Sequence, residues 1–434
     1  MERIRITKPI LIRGGRVIDP ASELDGPADL LLKDGRIAAR DKPGAIPADG
    51  ADVVDATNLC VAPGLIDMHV HLREPGFEYK ETVATGTLAA VVGGVTSVAC
   101  MANTNPVNDN AAITSYIIEK AQIAGLANVF PIGAVSLGMK GEHLSEFGDM
   151  VDAGIVAVSD DGRPIMNSAL MRRALEYARM FGIPVIVHEE DLDLCGAGVM
   201  NEGLTSVRLG LAGIPTCSES VMVARDIELA RYTGGRLHVA HVSTAESVEM
   251  VRRAKADGLA VTCEAAPHHF MLDDTACDGY NTNAKMYPPL RGLRDVDAVR
   301  RGLADGTVDT IATDHAPHHR DEKGVQFDEA AKGIVGLETM LPLTLTLVRD
   351  GLLTLSRAIE AMTIAPARSL NLDRGTLAVG RPADVVIFDP ERTWKLDAQQ
   401  LASKSKNTPF DGWEMPGKVV RTIVGGRSVW EDNS

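Results

Sequence analysis

The chain has 434 residues, of which 45% are hydrophobic, so it can bury one large core or a large domain with a smaller one beside it. It carries 59 acidic and 44 basic residues, a formal net charge of -15, and the acidic residues are scattered, which argues against nucleic acid or an anionic membrane as a partner. The N-terminal apolar run is too short for a signal peptide, no stretch approaches the ~20 apolar residues of a membrane span, and the six cysteines are widely spaced as reduced thiols are, so we expect a cytoplasmic protein.

The two ends of the chain share a pattern of short alternating strands. Residues 9–62 contain PILIRGGRVIDP, ADLLLKDGRIAA and NLCVAP, and residues 373–434 contain ADVVIFDP, KVVRTIVGG and RSVWED, with Gly, Asp and Pro at the turns. Neither end has enough strands to bury its own faces, so the two should pack together as a small β-sandwich. We expect its two parts to comprise residues 1–62 and 373–434.

Between the ends, short β-branched apolar runs alternate with longer segments of helical spacing such as ALMRRALEYARMFG, and this predicts parallel strands joined by crossover helices. The runs are GLIDMH (64–69), VTSVACM (95–101), NVFPIG (128–133), GIVAVS (154–159), IPVIVH (183–188), LHVAH (237–241), LAVTCE (259–264) and VDTIATD (308–314). Eight such units over roughly 300 residues favour a TIM-type (β/α)8 barrel, which typically takes ~250 residues or more, over a doubly wound sheet. We expect the barrel to span residues 63–372.

The ends of the predicted strands carry residue types that bind metals. In a parallel barrel the active site lies at the C-terminal ends of the strands. The candidates at or just beyond these ends are His69, His71, Asp160, Asp161, His188, His241 and Asp314. Side chains alternate along a strand, so the two histidines of His69-Val70-His71 share a face and can reach one cation. Neutral imidazole and carboxylate are the ligands that zinc or manganese would take.

A lone histidine that ends an apolar strand is more often a satisfied polar residue than a ligand. Here four of the 11 histidines stand with aspartates at strand ends that converge on one mouth, and this coincidence favours a metal centre. The remaining histidines are interpreted as loop, core or supporting residues, apart from one in the DHAPH motif considered below: His143, His238, His268, His269, His315 and His319.

Such a cluster suits amide hydrolysis. Two cations bridged by a carboxylate and a hydroxide would hold a nucleophile at neutral pH and would polarise a carbonyl oxygen. Asp314, at the end of strand eight, could take the proton of the nucleophile and hand it to the leaving nitrogen.

The chain resembles the bacterial class I dihydroorotases over nearly its whole length. The segments that carry the resemblance are, in order, PGLIDMHVHLREPG, MANTNPVND, VSDDG, VHEED, HVSTAES, PPLR, ATDHAPH, GIVGLET, NTPFDGW and GKVVRTIVGG. The resemblance implies a barrel with a β-sandwich assembled from both termini. It also implies the reversible cyclisation of N-carbamoyl-L-aspartate to dihydroorotate in pyrimidine synthesis.

Carried over motif by motif, the resemblance implies a site for two zinc ions. His69 and His71 would bind one ion, and His188 and His241 would bind the other. Asp161 would bridge them, and Asp314 would be both a ligand and the general base.

The resemblance also implies a substrate-binding site beside His71. Arg73 would clamp the substrate carboxylate with its bidentate guanidinium, helped by Asn103 and His318. Outside this context, Arg73 would be a surface ion-pair residue, Asn103 a turn former and His318 a loop residue.

Two positions depart from the family pattern. Tyr287 stands before PPLR, where the family usually has an asparagine that contacts the pyrimidine ring. Ala331-Lys332-Gly333 stands before IVGLET in place of the usual Pro-Phe-Gly. By analogy, Lys332 and Gly333 would line the edge of the ring, where a lysine could alter affinity or selectivity.

Two other functions stay open at this point. Dihydropyrimidinases, hydantoinases and allantoinases usually bridge their metals with a carboxylated lysine after strand four, where this chain has Asp161. A non-catalytic partner of aspartate transcarbamoylase would have lost ligands that this chain keeps. The sequence leaves open the number and identity of the metals, a homodimer, and an association of the catalytic chain with aspartate transcarbamoylase.

Overall fold

The computed structural model describes residues 8–432, which form two eight-stranded sheets, a two-stranded ribbon and surrounding helices. The strands are β1 (Ile10–Asp19), β2 (Leu24–Lys33), β3 (Arg36–Asp41), β4 (Asp52–Asp55), β5 (Cys60–Pro63), β6 (Leu65–Val70), β7 (Val95–Cys100), β8 (Asn128–Gly133), β9 (Ala157–Ser159), β10 (Val185–Val187), β11 (Met200–Asn201), β12 (Gly213–Ile214), β13 (Leu237–Val239), β14 (Val261–Ala265), β15 (Thr310–Ile311), β16 (Val385–Lys395), β17 (Glu414–Val424) and β18 (Arg427–Glu431).

The α-helices follow the strands in alternation through the middle of the chain. They are α1 (Val83–Val92), α2 (Ala111–Ala124), α3 (Phe147–Ala153), α4 (Ser168–Phe181), α5 (Leu192–Cys195), α6 (Leu204–Leu209), α7 (Cys217–Thr233), α8 (Ala245–Ala256), α9 (Pro267–Met271), α10 (Leu293–Asp305), α11 (Arg320–Lys323), α12 (Met340–Arg349), α13 (Leu355–Met362) and α14 (Ile364–Ser369). Within the described range, no helix is both long and apolar enough to cross a membrane.

The predicted barrel is confirmed. Each of the eight apolar runs overlaps a strand, and the strands pair in parallel in the order β6, β7, β8, β9, β10, β13, β14 and β15. The circle closes between the last strand and the first, where Val70 forms a bridge with His315 and the His71 N–H donates to the His315 carbonyl at 2.9 Å. The carboxyl ends of all eight strands therefore surround one mouth.

Local sequence explains the outer helices, as α4 shows. The side chain of Asn167 accepts hydrogen bonds from the Ala169 and Leu170 N–H groups and begins the helix. Leu170, Met171, Ala174, Leu175 and Ala178 form its buried face, at the three- and four-residue spacing that one side of a helix requires. Gly182 ends it with φ of 69°, a left-handed conformation that glycine adopts without steric cost.

Strands from both termini form one continuous sheet beside the barrel, in the order β18, β17, β16, β5, β1, β2 and β3, with β4 also paired to β1. The predicted joining of the two ends is thereby confirmed. Leu30 and Ile37 from the first end share a hydrophobic core with Val385 and Ile423 from the last. The division at residues 1–62, 63–372 and 373–434 stays a proposal.

Asp67 fastens the closure of the barrel. Its carboxylate accepts hydrogen bonds from the Thr313 N–H at 3.1 Å and the Thr313 hydroxyl at 2.5 Å, and thus joins β6 to the segment after β15. It also accepts from the His69 N–H at 3.2 Å. Asp67 is fully buried, so these bonds replace those that water would make.

Replacing Asp67 should weaken the fold. Asp67→Ala leaves the buried Thr313 N–H without an acceptor and should lower the free energy of unfolding by about 1 to 3 kcal/mol. Asp67→Asn keeps an acceptor oxygen and should lose less. Urea denaturation measures both changes. If Asp67→Ala were as stable as the unmodified protein, the role of Asp67 in closure would be wrong.

Candidate metal centre and substrate cavity

The structure brings the predicted metal ligands together at the mouth of the barrel. Every one of these side chains is buried, with at most 5% of the residue exposed. Their ligand atoms form two groups, and within each group the atoms lie within 4.8 Å of one another: His69, His71, Asp161 and Asp314 in the first, and Asp161, His188 and His241 in the second. Asp161 belongs to both groups and therefore links them.

The first group surrounds the Nε2 atoms of His69 and His71. His69 Nε2 lies 3.4 Å from Asp161 Oδ2 and 3.4 Å from Asp314 Oδ1. His71 Nε2 lies 2.9 Å from Asp314 Oδ1 and 3.4 Å from Asp161 Oδ2. The buried His69 Nε2 has no hydrogen-bond partner, although it faces two carboxylates. An orphaned nitrogen among carboxylate oxygens is the environment that a divalent cation satisfies.

The second group joins two imidazoles to the other oxygen of Asp161. His188 Nδ1 lies 3.0 Å from His241 Nε2, and these nitrogens lie 3.6 and 3.3 Å from Asp161 Oδ1. Two ring nitrogens and one carboxylate oxygen converge here without a protein cation between them. The donor set therefore fits a metal ion at this position as well.

The electrostatics of the cluster keep its carboxylates ionised. Burial acts to raise the pKa of Asp161, but His69, His188 and His241 outweigh it and hold that pKa well below its usual value. For Asp314, burial is likewise outweighed by His69 and His71, and its pKa is lowered. Both carboxylates are thus negatively charged at neutral pH and offer charge to a cation.

The two neighbouring aspartates after β9 point to different partners. Asp160 accepts hydrogen bonds from the N–H of Ser136 at 3.0 Å and from its hydroxyl. Asp161 instead faces the histidines. The structure thereby selects Asp161 from the pair that strand spacing alone left open.

Glu264 supports the cluster and was missed in the sequence. Its Oε1 lies 2.5 Å from His69 Nδ1 and accepts from the His241 N–H at 3.3 Å, and its Oε2 lies 3.2 Å from His238 Nε2. A carboxylate on Nδ1 orients the ring and directs the Nε2 lone pair at the centre. Glu264 ends the seventh apolar run, so the strand-end rule could have found it.

The predicted substrate residues surround a cavity of about 200 Å³ directly over the cluster. Its lining includes His71, Arg73, Asn103, Tyr287, His318 and Lys332. Gly333 lies behind this wall, against Ala316 and His318, where an added Cβ would lie 2.7 Å from the His318 ring. The exposed Lys332 ammonium lies 3.5 Å from the centroid of the Tyr287 ring, and the Tyr287 hydroxyl donates to the Gly198 carbonyl at 2.5 Å.

Arg73, Asn103 and His318 form one side of the cavity. Arg73 Nη2 lies 3.4 Å from His318 Nε2, and Arg73 Nε donates to the Pro317 carbonyl at 3.2 Å. Burial lowers the pKa of Arg73 to about 10, so the guanidinium stays charged at neutral pH. Asn103 Oδ1 lies 2.8 Å from His71 Nδ1. All three side chains thus line the cavity, where Arg73 supplies positive charge and Asn103 and His318 supply hydrogen-bonding groups.

The C-terminal motif NTPFDGW positions this wall through Asn407, whose role was missed in the sequence. Asn407 Oδ1 accepts from the His318 N–H at 3.0 Å, and its Nδ2 donates to the carbonyls of Ala316 at 3.0 Å and Gly333 at 2.9 Å. One buried amide therefore fixes two loops. The NTPFDGW motif is recognisable in the sequence, but the spacing of its residues does not indicate that Asn407 contacts the DHAPH loop.

Comparison with known proteins agrees with this architecture. The sequence model described as "Amidohydrolase family" matches residues 60–429. A dihydroorotase from Geotalea daltonii is 59% identical over 420 residues, covering 97% of this chain and 99% of that protein, and one from Geobacter sulfurreducens is also 59% identical over 420 residues with the same coverage. The chain therefore belongs to the amidohydrolase family and, within it, to the dihydroorotases.

Solved structures with the same fold include an L-hydantoinase and a dihydropyrimidinase. An L-hydantoinase from Arthrobacter aurescens superposes with a TM-score of 0.88 at 26% identity and covers 99% of this chain and 97% of its own. A dihydropyrimidinase from Brevibacillus agri superposes with a TM-score of 0.84 at 24% identity, and the match covers 98% of this chain and 96% of that one. At this level of identity the match shows a shared fold alone.

Substitution of Glu264 tests whether its carboxylate supports metal binding through His69. Glu264→Gln removes the anionic acceptor from His69 Nδ1 and should weaken metal binding by about 10- to 100-fold. Competition with a chelator measures the affinity. Glu338→Gln changes another buried carboxyl, one that accepts hydrogen bonds from the Ala402 and Ser403 N–H groups away from the cluster, and should leave metal affinity unchanged. Equal affinities for the two variants would exclude the assigned role of Glu264.

Proposed function

We propose that the protein is a zinc-dependent dihydroorotase that catalyses the reversible interconversion of (S)-dihydroorotate and N-carbamoyl-L-aspartate in de novo pyrimidine synthesis. The observation that carries the proposal is the convergence of two metal-ligand groups on a cavity with a cationic wall, in a chain that is 59% identical to dihydroorotases over nearly its full length. We place this activity in the cytoplasm.

Two zinc ions would occupy the centre. His69 and His71 would hold one ion and His188 and His241 the other, with Asp161 shared and Asp314 beside the first. Bound divalent cations would lower the pKa of water and polarise the ring carbonyl. The supporting evidence is the orphaned His69 Nε2 and the 3.0 Å approach of the His188 and His241 nitrogens.

The chain's own groups would orient the substrate and move its proton. The substrate carboxylate would lie on Arg73, Asn103 and His318, and the scissile amide would then lie over the cluster. Asp314, ionised and 2.9 Å from His71 Nε2, would accept a proton from the attacking water and deliver it to the leaving nitrogen. Tyr287 and Lys332 would bound the edge of the ring, and Gly333, which lies against His318, would support the adjoining wall.

Two observations favour this reaction over the alternatives. Hydantoinases and dihydropyrimidinases share the fold, but this chain has Asp161 where those enzymes usually bridge with a carboxylated lysine, and it provides Arg73 for an anionic ring substituent that their substrates lack. A non-catalytic partner of aspartate transcarbamoylase would not need the full set of converging ligands. Homodimer formation and association of the active chain with aspartate transcarbamoylase remain compatible with the proposal.

A substrate panel tests the proposed function. Purified protein with its metal content measured should hydrolyse dihydroorotate at a far higher kcat/KM than dihydrouracil, hydantoin or allantoin. Preference for an uncharged ring would contradict the dihydroorotase assignment and would leave a metal-dependent hydrolase. Absence of turnover on every ring, with metal bound, would favour the non-catalytic alternative.

Asp314 should be the general base. Asp314→Asn keeps the shape of the side chain but cannot accept a proton at neutral pH, so kcat should fall at least ~100-fold. Because Asp314 also lies among the metal ligands, metal content must be measured on the same sample. Turnover close to that of the unmodified protein, with metal retained, would exclude this role.

Arg73 should determine the preference for an anionic ring. Arg73→Met removes a charge-assisted pair of roughly 1.5 to 3 kcal/mol, so kcat/KM for dihydroorotate should fall about 10- to 100-fold. Activity on dihydrouracil, which lacks the carboxylate, should be spared. Equal losses on the two substrates would mean that Arg73 supports the fold or the metals instead.

A further inference from the structure

A second and larger cavity, of about 690 Å³, opens beside the catalytic cavity. We call it the outer cavity. It lies between the loop that follows the last barrel strand, the α11 turn and the C-terminal segment 399–407. Its lining consists of Tyr79, Thr282, Asn283, His318, His319, Arg320, Lys323, Gly324, Gln399, Lys404, Ser405, Lys406 and Asn407.

The lining of the outer cavity is basic in a protein of net charge -15. Among the described residues that line it there is no aspartate or glutamate. Within residues 8–432, no ion pair within 4.0 Å joins Lys323, Lys404 or Lys406 to a carboxylate, although the charge of Lys406 lowers the pKa of the buried Glu338 carboxyl in part. Burial and the Lys285 ammonium lower the pKa of Lys323 to about 7, so this side chain is only partly protonated at neutral pH, and a bound anion would favour its charged form.

Backbone carbonyls hold these lysines in place. Lys323 Nζ donates to the Ala331 carbonyl at 2.7 Å and the Gly333 carbonyl at 3.1 Å. Lys406 Nζ donates to the Ser403 carbonyl at 2.6 Å, and Lys404 Nζ donates to the Glu78 carbonyl. Neutral carbonyls fix the positions of the ammonium groups without cancelling their charge, so the field of the lysines remains available to an anion.

The acidic residues at the rim have other partners, and the buried Glu81 carboxylate accepts a hydrogen bond from the Lys404 N–H at 3.1 Å. Glu322 pairs with Lys80 at 2.8 Å and accepts from the Tyr79 hydroxyl at 3.1 Å. Asp321 lies 3.3 Å from His319 and 3.6 Å from Arg320, with most of its side chain exposed. These carboxylates offset positive charge at the rim, but neither forms an ion pair with Lys323, Lys404 or Lys406.

Another cavity of this chain shows the contrast. A depression of about 510 Å³ is lined by Arg236, Arg357 and Arg368, but also by Asp305, Asp309 and Glu360. There, Arg357 pairs with Glu360 at 3.0 Å. That depression is therefore lined by residues of both charges, whereas the described lining of the outer cavity has basic residues and no carboxylate.

We propose that the outer cavity binds a small anion that carries a diphosphate group. Two adjacent phosphates offer several negative oxygens, which match the spread of ammonium groups over Lys323, Lys404 and Lys406 better than a single carboxylate does. The volume suits a ligand between diphosphate and a nucleotide in size. The half-exposed ring of Tyr79 on the cavity edge could contact a base if the ligand is a nucleoside diphosphate.

The outer cavity shares a wall with the catalytic cavity. The His318 side chain lines both the outer cavity and the catalytic cavity. The Lys323 ammonium donates a hydrogen bond to the carbonyl of Gly333, the residue after Lys332. Diphosphate bound outside would therefore alter the KM for the substrate through His318. This consequence rests on the proposed function, whereas binding of the anion does not.

Isothermal titration with inorganic pyrophosphate tests the site. Lys404→Gln/Lys406→Gln should weaken binding by about tenfold, since two charge pairs of moderate strength are lost. Arg368→Gln, an exposed arginine in the balanced depression, is the matched control and should bind as the unmodified protein does. Pyrophosphate also binds divalent cations, but all three proteins keep the same metal ligands, so differences between them report the outer cavity.

The single variant Lys404→Gln controls for misfolding of the segment 399–407 in the double variant, because Lys404 is exposed and its replacement should not disturb the fold. It should weaken pyrophosphate binding about threefold and keep the thermal stability of the unmodified protein. Equal pyrophosphate affinities for the unmodified protein and both lysine variants would overturn the proposal. Binding that is present without any dihydroorotase activity would instead overturn only the proposed function.

A second titration distinguishes the source of the diphosphate. If the ligand is a nucleoside diphosphate, ADP should bind more tightly than pyrophosphate, and Tyr79→Leu should remove that advantage while leaving pyrophosphate affinity unchanged. If ADP and pyrophosphate bind equally, the site recognises the diphosphate alone. If neither binds, no diphosphate site exists in the outer cavity.

Discussion

The carboxylate of Asp161 is the interaction on which the arrangement of the site depends. One of its oxygens faces His69 and His71, and the other faces His188 and His241, and all of these side chains are buried at the mouth of the barrel. Several ionisable groups packed at this distance would be costly to bury without compensating charge. The imidazoles already hold the pKa of Asp161 low, and cations between the groups would complete the balance.

The surrounding structure holds this cluster against local backbone preference. Arg73, His241 and Asp314 adopt φ angles of 63°, 31° and 46°, a region that side chains other than glycine rarely occupy. Such residues cost of order 1 to 3 kcal/mol each and persist where neighbouring structure fixes them. Asp67, Glu264 and Asn407 are buried groups that supply this fixation through hydrogen bonds to adjacent strands and loops.

The sequence predicted the architecture well because the alternation of apolar runs and helical segments is a direct consequence of barrel geometry. The metal ligands were found for the same reason, since they end strands. Glu264 stands at the end of a predicted strand, so the same rule reaches it, whereas Asn407 acts across more than 80 residues of chain, which no local pattern reveals. The spacing of Asp160 and Asp161 could not separate their roles, because the turn after the strand decides which one faces the histidines.

The most direct test of the central claim is a zinc titration of metal-free protein. The unmodified protein and Asp160→Ala should each bind two equivalents, because Asp160 bonds Ser136 and not the histidines. Asp161→Ala should bind at most one equivalent tightly, because the shared carboxylate is gone. Two tightly bound equivalents in Asp161→Ala would contradict the account of a centre organised around this residue.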